Sequence, residues 1–95
     1  MTTTMRIHNS NTGEIWERET TGLVCLNIIG FLYKVLECTD YAEADFDDFV
    51  DSVSDALEKV DRTNSAEPCS AGLTFAITNY KHNRYETYRV EAERE

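Results

Sequence analysis

The sequence predicts an α+β fold, a two-layer ββααββ domain whose antiparallel four-stranded sheet carries two helices on one face. Three observations predict it. Two segments, 3–19 and 73–92, read as hairpins around turn-forming residues; an apolar run fills 22–36; and DFDDFVDSVSDALEKVD, Asp45 to Asp61, repeats its apolar residues at helical spacing. At 95 residues the chain has room for one modest core and a single domain, 1–95. An apolar fraction of 41% with 11% aromatics is that of an ordered chain.

The first hairpin, 3–19, turns at NSNTG (Asn9 to Gly13), because Asn and Gly adopt positive φ at little cost. Met5, Ile7, Ile15 and Trp16 lie in its flanks. Residues 22–38 follow, and from Leu23 to Ile29 they fit either a buried strand or a helix. The length of the run and the spacing of Leu32, Val35 and Leu36 favour a helix buried nearly all round, capped by Thr21. Gly30 costs about 1 kcal/mol within a helix, which suggests close packing on the sheet there.

In the second helix, 45–61, Phe46, Phe49, Val50, Val53, Leu57 and Val60 form one stripe, with Asp45 as N-cap. Residues 62–72 read as a polar loop with the only proline. In the second hairpin, 73–92, Leu73, Phe75 and Ile77 share one strand face, and Tyr88, Val90 and Ala92 share one face of the next. Packing both helices on one side of the sheet would bury the apolar helix between the sheet and the acidic one.

The charge is unevenly placed. Eighteen acids against nine bases give −9, which opposes direct contact with nucleic acid or an anionic membrane. Residues 40–61 hold nine acids and one base, or −8, leaving −1 for the rest. On a helical wheel Asp47, Asp48, Asp51, Asp55 and Glu58 fall about 100–200° from Phe46, opposite the core, with one charge per roughly 4 Å of axis. One strand of duplex DNA carries a charge per about 3.4 Å. Like charges at i,i+4 destabilise a helix, and the dipole favours acids only near its start, at Asp47 and Asp48. The candidate partner-binding residues are therefore Asp40, Glu43, Asp47, Asp48, Asp51, Asp55, Glu58 and Asp61.

Other chemistries find no support in the sequence. A calcium loop starting at Asp40 would put Ala42 and Ala44 at ligand positions and Asp45 where glycine belongs. Cys25, Cys38, Cys69, His8 and His82 show no zinc spacing, so no metal is expected. A Cys–His nucleophilic pair through His8 or His82 stays open, but nothing else in the sequence points to it. No glycine-rich phosphate loop implies a cofactor. Lys81, His82, Arg84 and Arg89 with Tyr80, Tyr85 and Tyr88 give the second hairpin some look of a stacking platform, outweighed by the acidic segment on so small a domain. The start, MTTTMRIHNS, lacks a charged-then-apolar leader, and Gly22 to Leu36 is too short and polar to span a bilayer. A cytoplasmic protein with reduced thiols is expected, neither an enzyme nor membrane-bound.

In length and in its Asp40–Asp61 segment, the chain resembles the small acidic inhibitors of bacteriophages and mobile elements, the anti-CRISPR and anti-restriction proteins that present carboxylates in place of phosphates. That resemblance implies a non-enzymatic DNA mimic, blocking the DNA-binding channel of a CRISPR surveillance complex or, next, a restriction enzyme. The partner would be a basic nucleic-acid-binding protein or complex, and a homodimer is compatible with the sequence. The alternative is a small acidic interaction module such as an antitoxin or immunity-type neutraliser.

Overall fold

In the computed structural model, which describes residues 2–37, 43–63, 67–80 and 83–94, with the side chains of 43–46 and 48 left out, the chain runs β1 (Thr3–Asn9), β2 (Ile15–Thr20), α1 (Val24–Leu36), α2 (Glu43–Arg62), β3 (Cys69–Asn79) and β4 (Arg84–Arg94). The order is ββααββ, as expected. The sheet runs β2-β1-β4-β3 with every pair antiparallel. The two hairpins meet where the first strand pairs with the last.

Local chemistry sets the first turn. The Asn9 side-chain oxygen accepts hydrogen bonds from the backbone amides of Asn11 (2.9 Å) and Thr12 (3.3 Å). Gly13 follows at φ +79°, a conformation that costs glycine little. Pairing then fixes which residues face inward. Trp16, Ile7, Val90 and Leu73 form one row across all four strands, and Ile7 and Val90 are fully buried. Ile15 falls on the other face and is 61% exposed.

Both helices cover the inner face, α1 over β1 and β2, α2 over β3 and β4, side by side and in contact. The expectation that α1 would be buried between the sheet and α2 is therefore wrong. Four strands about 4.8 Å apart make a face wide enough for two helices packed about 8–10 Å apart. Neither has to sit on top of the other.

As a result α1 is not buried all round. Val24, Ile28, Phe31, Leu32, Val35 and Leu36 are buried, while Leu23, Leu26, Gly30, Tyr33 and Lys34 face outward. A Cβ at Gly30 would meet nothing within 4 Å, so this glycine marks no close packing on the sheet. The α2 stripe is core as the spacing requires, with Phe49, Val53, Leu57 and Val60 buried. Each such side chain contributes about 1.5–3 kcal/mol by leaving water. Phe49 stacks on Phe75 of β3 with ring centroids 4.4 Å apart, and Phe75 stacks on Tyr88 at 5.9 Å.

Several boundaries and caps differ from the sequence reading. α2 begins at Glu43, so Asp45 lies inside the helix and does not cap it. β3 begins at Cys69 and β4 ends at Arg94, so the hairpin extends beyond 73–92 at both ends. Thr21 does not cap α1; Leu23 holds the N-cap position without a side-chain bond. The acceptor comes from α2, where Asp61 takes the amides of Val24 at 2.6 Å and Cys25 at 3.0 Å. At the C-terminal end of α2, Arg94 donates to the carbonyls of Val60 (3.3 Å), Thr63 (3.0 Å) and Glu67 (3.1 Å). A cation there also complements the helix dipole.

Candidate functional site

The eight acids proposed from sequence have different fates. Asp47, Asp51, Asp55 and Glu58 are exposed along the outer side of α2. The side chains of Asp47, Asp51 and Asp55 take part in no hydrogen bond or ion pair among the described residues. Glu58 is bound to Arg62 one turn on, at 2.6 Å. Asp61 is partly buried and turned toward α1, where it serves as that helix's cap. It is a structural residue, and its place near the negative end of the α2 dipole is offset by the positive end of α1. Asp40 lies outside the described residues, as do the side chains of Glu43 and Asp48.

Asp47, Asp51 and Asp55 follow at i,i+4, one carboxylate per about 6 Å of helix axis. They form a row with which no cation pairs among the described residues, although Lys59 stands one turn beyond Asp55. The acids of the outer sheet face contrast with them. There Arg6 pairs with Glu17 at 2.8 Å and Glu93 at 3.3 Å, while Glu91 receives His8 at 3.0 Å and Arg89 at 3.3 Å. Burial pushes the Glu91 carboxyl upward, but the bonds to His8 and Arg89 outweigh it and leave the pKa below the usual carboxylate value.

The two-helix layer adds apolar surface beside the row. Leu26 is 74% exposed and Tyr33 48%, on the outward side of α1 next to α2. Cys25 locates the seam: its thiol donates to the Ser54 carbonyl at 3.3 Å. Burial, then the Asp61 carboxylate, then Glu58 and Asp55 push this thiol up to about 11. A shift in that direction disfavours the thiolate and so weighs against a nucleophilic role. His8 lies on the opposite side of the sheet, so the two do not meet. His82 and Cys38 lie outside the described residues.

Glu86 is a site residue the sequence reading passed over. It is a fully buried carboxylate on the inner face, near the hairpin ends of β3 and β4. It accepts from Asn79 (2.9 Å), Asn9 (3.2 Å), the Tyr88 hydroxyl (3.1 Å) and Arg84 (3.2 Å). Burial raises its pKa, yet the bonds from Asn79, Tyr88, Arg84 and Asn9 together bring it below the ordinary value. The signal was available, because the alternation that aligns Tyr88, Val90 and Ala92 also places Glu86 and Arg94 on that face. Tyr88 is fully buried, with its hydroxyl in this cluster and its ring against Phe75, and offers no face to a nucleic-acid base, unlike the exposed Tyr80 and Tyr85. Lys81 lies outside the described residues.

Among the described residues, no group of three or more His, Cys, Asp or Glu could hold a metal ion, and no helix is long and apolar enough to cross a membrane. One surface pocket runs along Asp55, Glu58, Lys59, Arg62 and Thr63. Comparison with protein-family models, curated proteins and solved structures finds no match for this chain.

Proposed function

We propose that the outer face of α2 is a recognition surface for a basic protein, acting as a non-enzymatic inhibitor that stands in for nucleic-acid phosphates. The target class is the DNA-binding channel of a bacterial defence complex, a CRISPR surveillance complex first and a restriction enzyme next. One observation carries this reading: Asp47, Asp51 and Asp55 are exposed on one face and, among the described residues, unpaired, though i,i+4 lysines in the row would have stabilised the helix. A Lys/Arg-lined channel complements such a row and would be engaged quickly and with strong salt dependence.

A second reading, an antitoxin or immunity-type neutraliser, is favoured by Leu26 and Tyr33. Phosphate mimicry needs no apolar flank, whereas a protein–protein interface commonly has one. Competition separates the two. Affinity capture from a bacterial lysate at low and moderate salt should retain a nucleic-acid-binding partner that added duplex DNA displaces. A partner indifferent to DNA would favour the neutraliser. Capture unchanged by Asp51→Lys with Asp55→Lys would overturn both.

A further inference from the structure

Among the described residues β3 is an edge strand, bonded to β4 on one side only. Its sequence, CSAGLTFAITN, holds eleven residues without a charge or a proline. Such an edge presents unpaired amides and carbonyls to any extended chain, and proteins ordinarily blunt it with charge, proline or brevity. The opposite edge does so: β2 is IWERET, six residues with three charged side chains. Inner-face residues along β3 are also incompletely covered. Ala71, Leu73 and Phe75 pack against the core yet stay partly exposed, whereas Val90 and Tyr88 beside them on β4 are fully buried.

We infer that β3 is the interface of a homodimer, pairing antiparallel with β3 of a second copy to form one continuous eight-stranded sheet. A two-fold axis at Thr74 opposes Thr74 to its own counterpart, Leu73 to Phe75, Ala71 to Ile77 and Gly72 to Ala76. The whole strand overlaps, apolar residues meet on the inner face, and no like charges oppose each other along it. The neighbouring flank of α2 permits the approach. Ser52 and Ala56 follow Phe49 at i+3 and i+7, sharing the side of the helix that leans on Phe75, and both are small and neutral. The acid row lies on the outer, solvent-facing side of the helix instead. β3 itself carries no acid to attract a basic partner, which is why a second copy is the occupant and not a strand of the target. The dimer would present two acid rows on one helical layer, and a target able to reach both would bind with avidity.

Sedimentation equilibrium tests this on the intact chain. Wild type at tens of micromolar should show twice the 10.9 kDa chain mass, and added salt should preserve or strengthen the dimer by screening the net charge of −9. Thr74→Glu keeps an acceptor for Arg89, which bonds Thr74 at 3.3 Å, while opposing two carboxylates at the axis. It should be monomeric with an unchanged circular dichroism spectrum. A wild type that stays monomeric to several hundred micromolar overturns the inference, as does a dimer that Thr74→Glu leaves intact. If that variant fails to fold, hydrogen exchange on wild type decides: outward β3 amides should gain protection with concentration, and exchange as fast as at the β2 edge would overturn it. Loss of the dimer leaves target recognition by α2 standing, because that contact weakens with salt and the dimer does not.

Discussion

The Asp61 carboxylate accepts the Val24 backbone amide at 2.6 Å, so the last acid of α2 caps the first turn of α1. One carboxylate thereby joins the two helices across the layer. Asp61→Ala should cost about 0.5–2 kcal/mol, the range for removing a helix cap, measured by urea denaturation. Asp61→Asn should cost less, since its amide oxygen still accepts. Once protein is corrected for the folded fraction, target capture should be unaffected by either substitution.

Acid should destabilise the protein through Glu86. Its folded pKa lies below the ordinary value of 4.5, so its contribution is fully present above that value. As pH falls through the folded pKa, the contribution is lost. Stability by denaturant titration should be flat near neutrality and fall below about pH 4.5. Glu86→Gln should cost about 1–3 kcal/mol at pH 7 by leaving donors incompletely satisfied, and should flatten the acid limb.

The Cys25 thiol, raised to about 11, should react slowly with thiol reagents at pH 8 in the folded protein. Against a free cysteine the thiolate fraction is lower by about two orders of magnitude. Mass spectrometry of the labelled protein would locate the reacting sites. Prompt native-state labelling of Cys25 would show that the seam between the helices opens readily.

Gly30→Ala should stabilise the protein by about 0.5–1 kcal/mol, because the added methyl meets nothing within 4 Å and alanine is the better helix former. Gly72→Ala should do the reverse, since its Cβ would lie 3.2 Å from the Val90 carbonyl oxygen and 2.8 Å from the Arg89 guanidinium. Thermal melts of the two variants check both signs.

Asp51→Lys should raise stability while abolishing recognition. It converts two like-charge i,i+4 contacts, with Asp47 and Asp55, into attractive ones, worth about 1 kcal/mol together at low salt. A rise in melting temperature with loss of capture would mark Asp51 as functional rather than structural. Capture retained at full strength would leave the acid row no more than a solvated face.

The sequence by itself determined the element order, the α2 stripe and the inner faces of the second hairpin. Those depend on periods of 3.6 and 2, which a chain carries locally. It also concentrated the charge in residues 40–61. Only the tertiary structure decided how that charge is used. Asp61 meets its partners 36 and 37 residues away, Glu58 is answered by Arg62, and Asp47, Asp51 and Asp55 are left facing solvent. The same holds for α1, whose dense apolar run suggested burial all round. The width of a four-stranded sheet seats it beside α2 and leaves Leu26 and Tyr33 exposed. Partners distant in sequence, and the area available for packing, are properties of the assembled layers, and no local pattern encodes them.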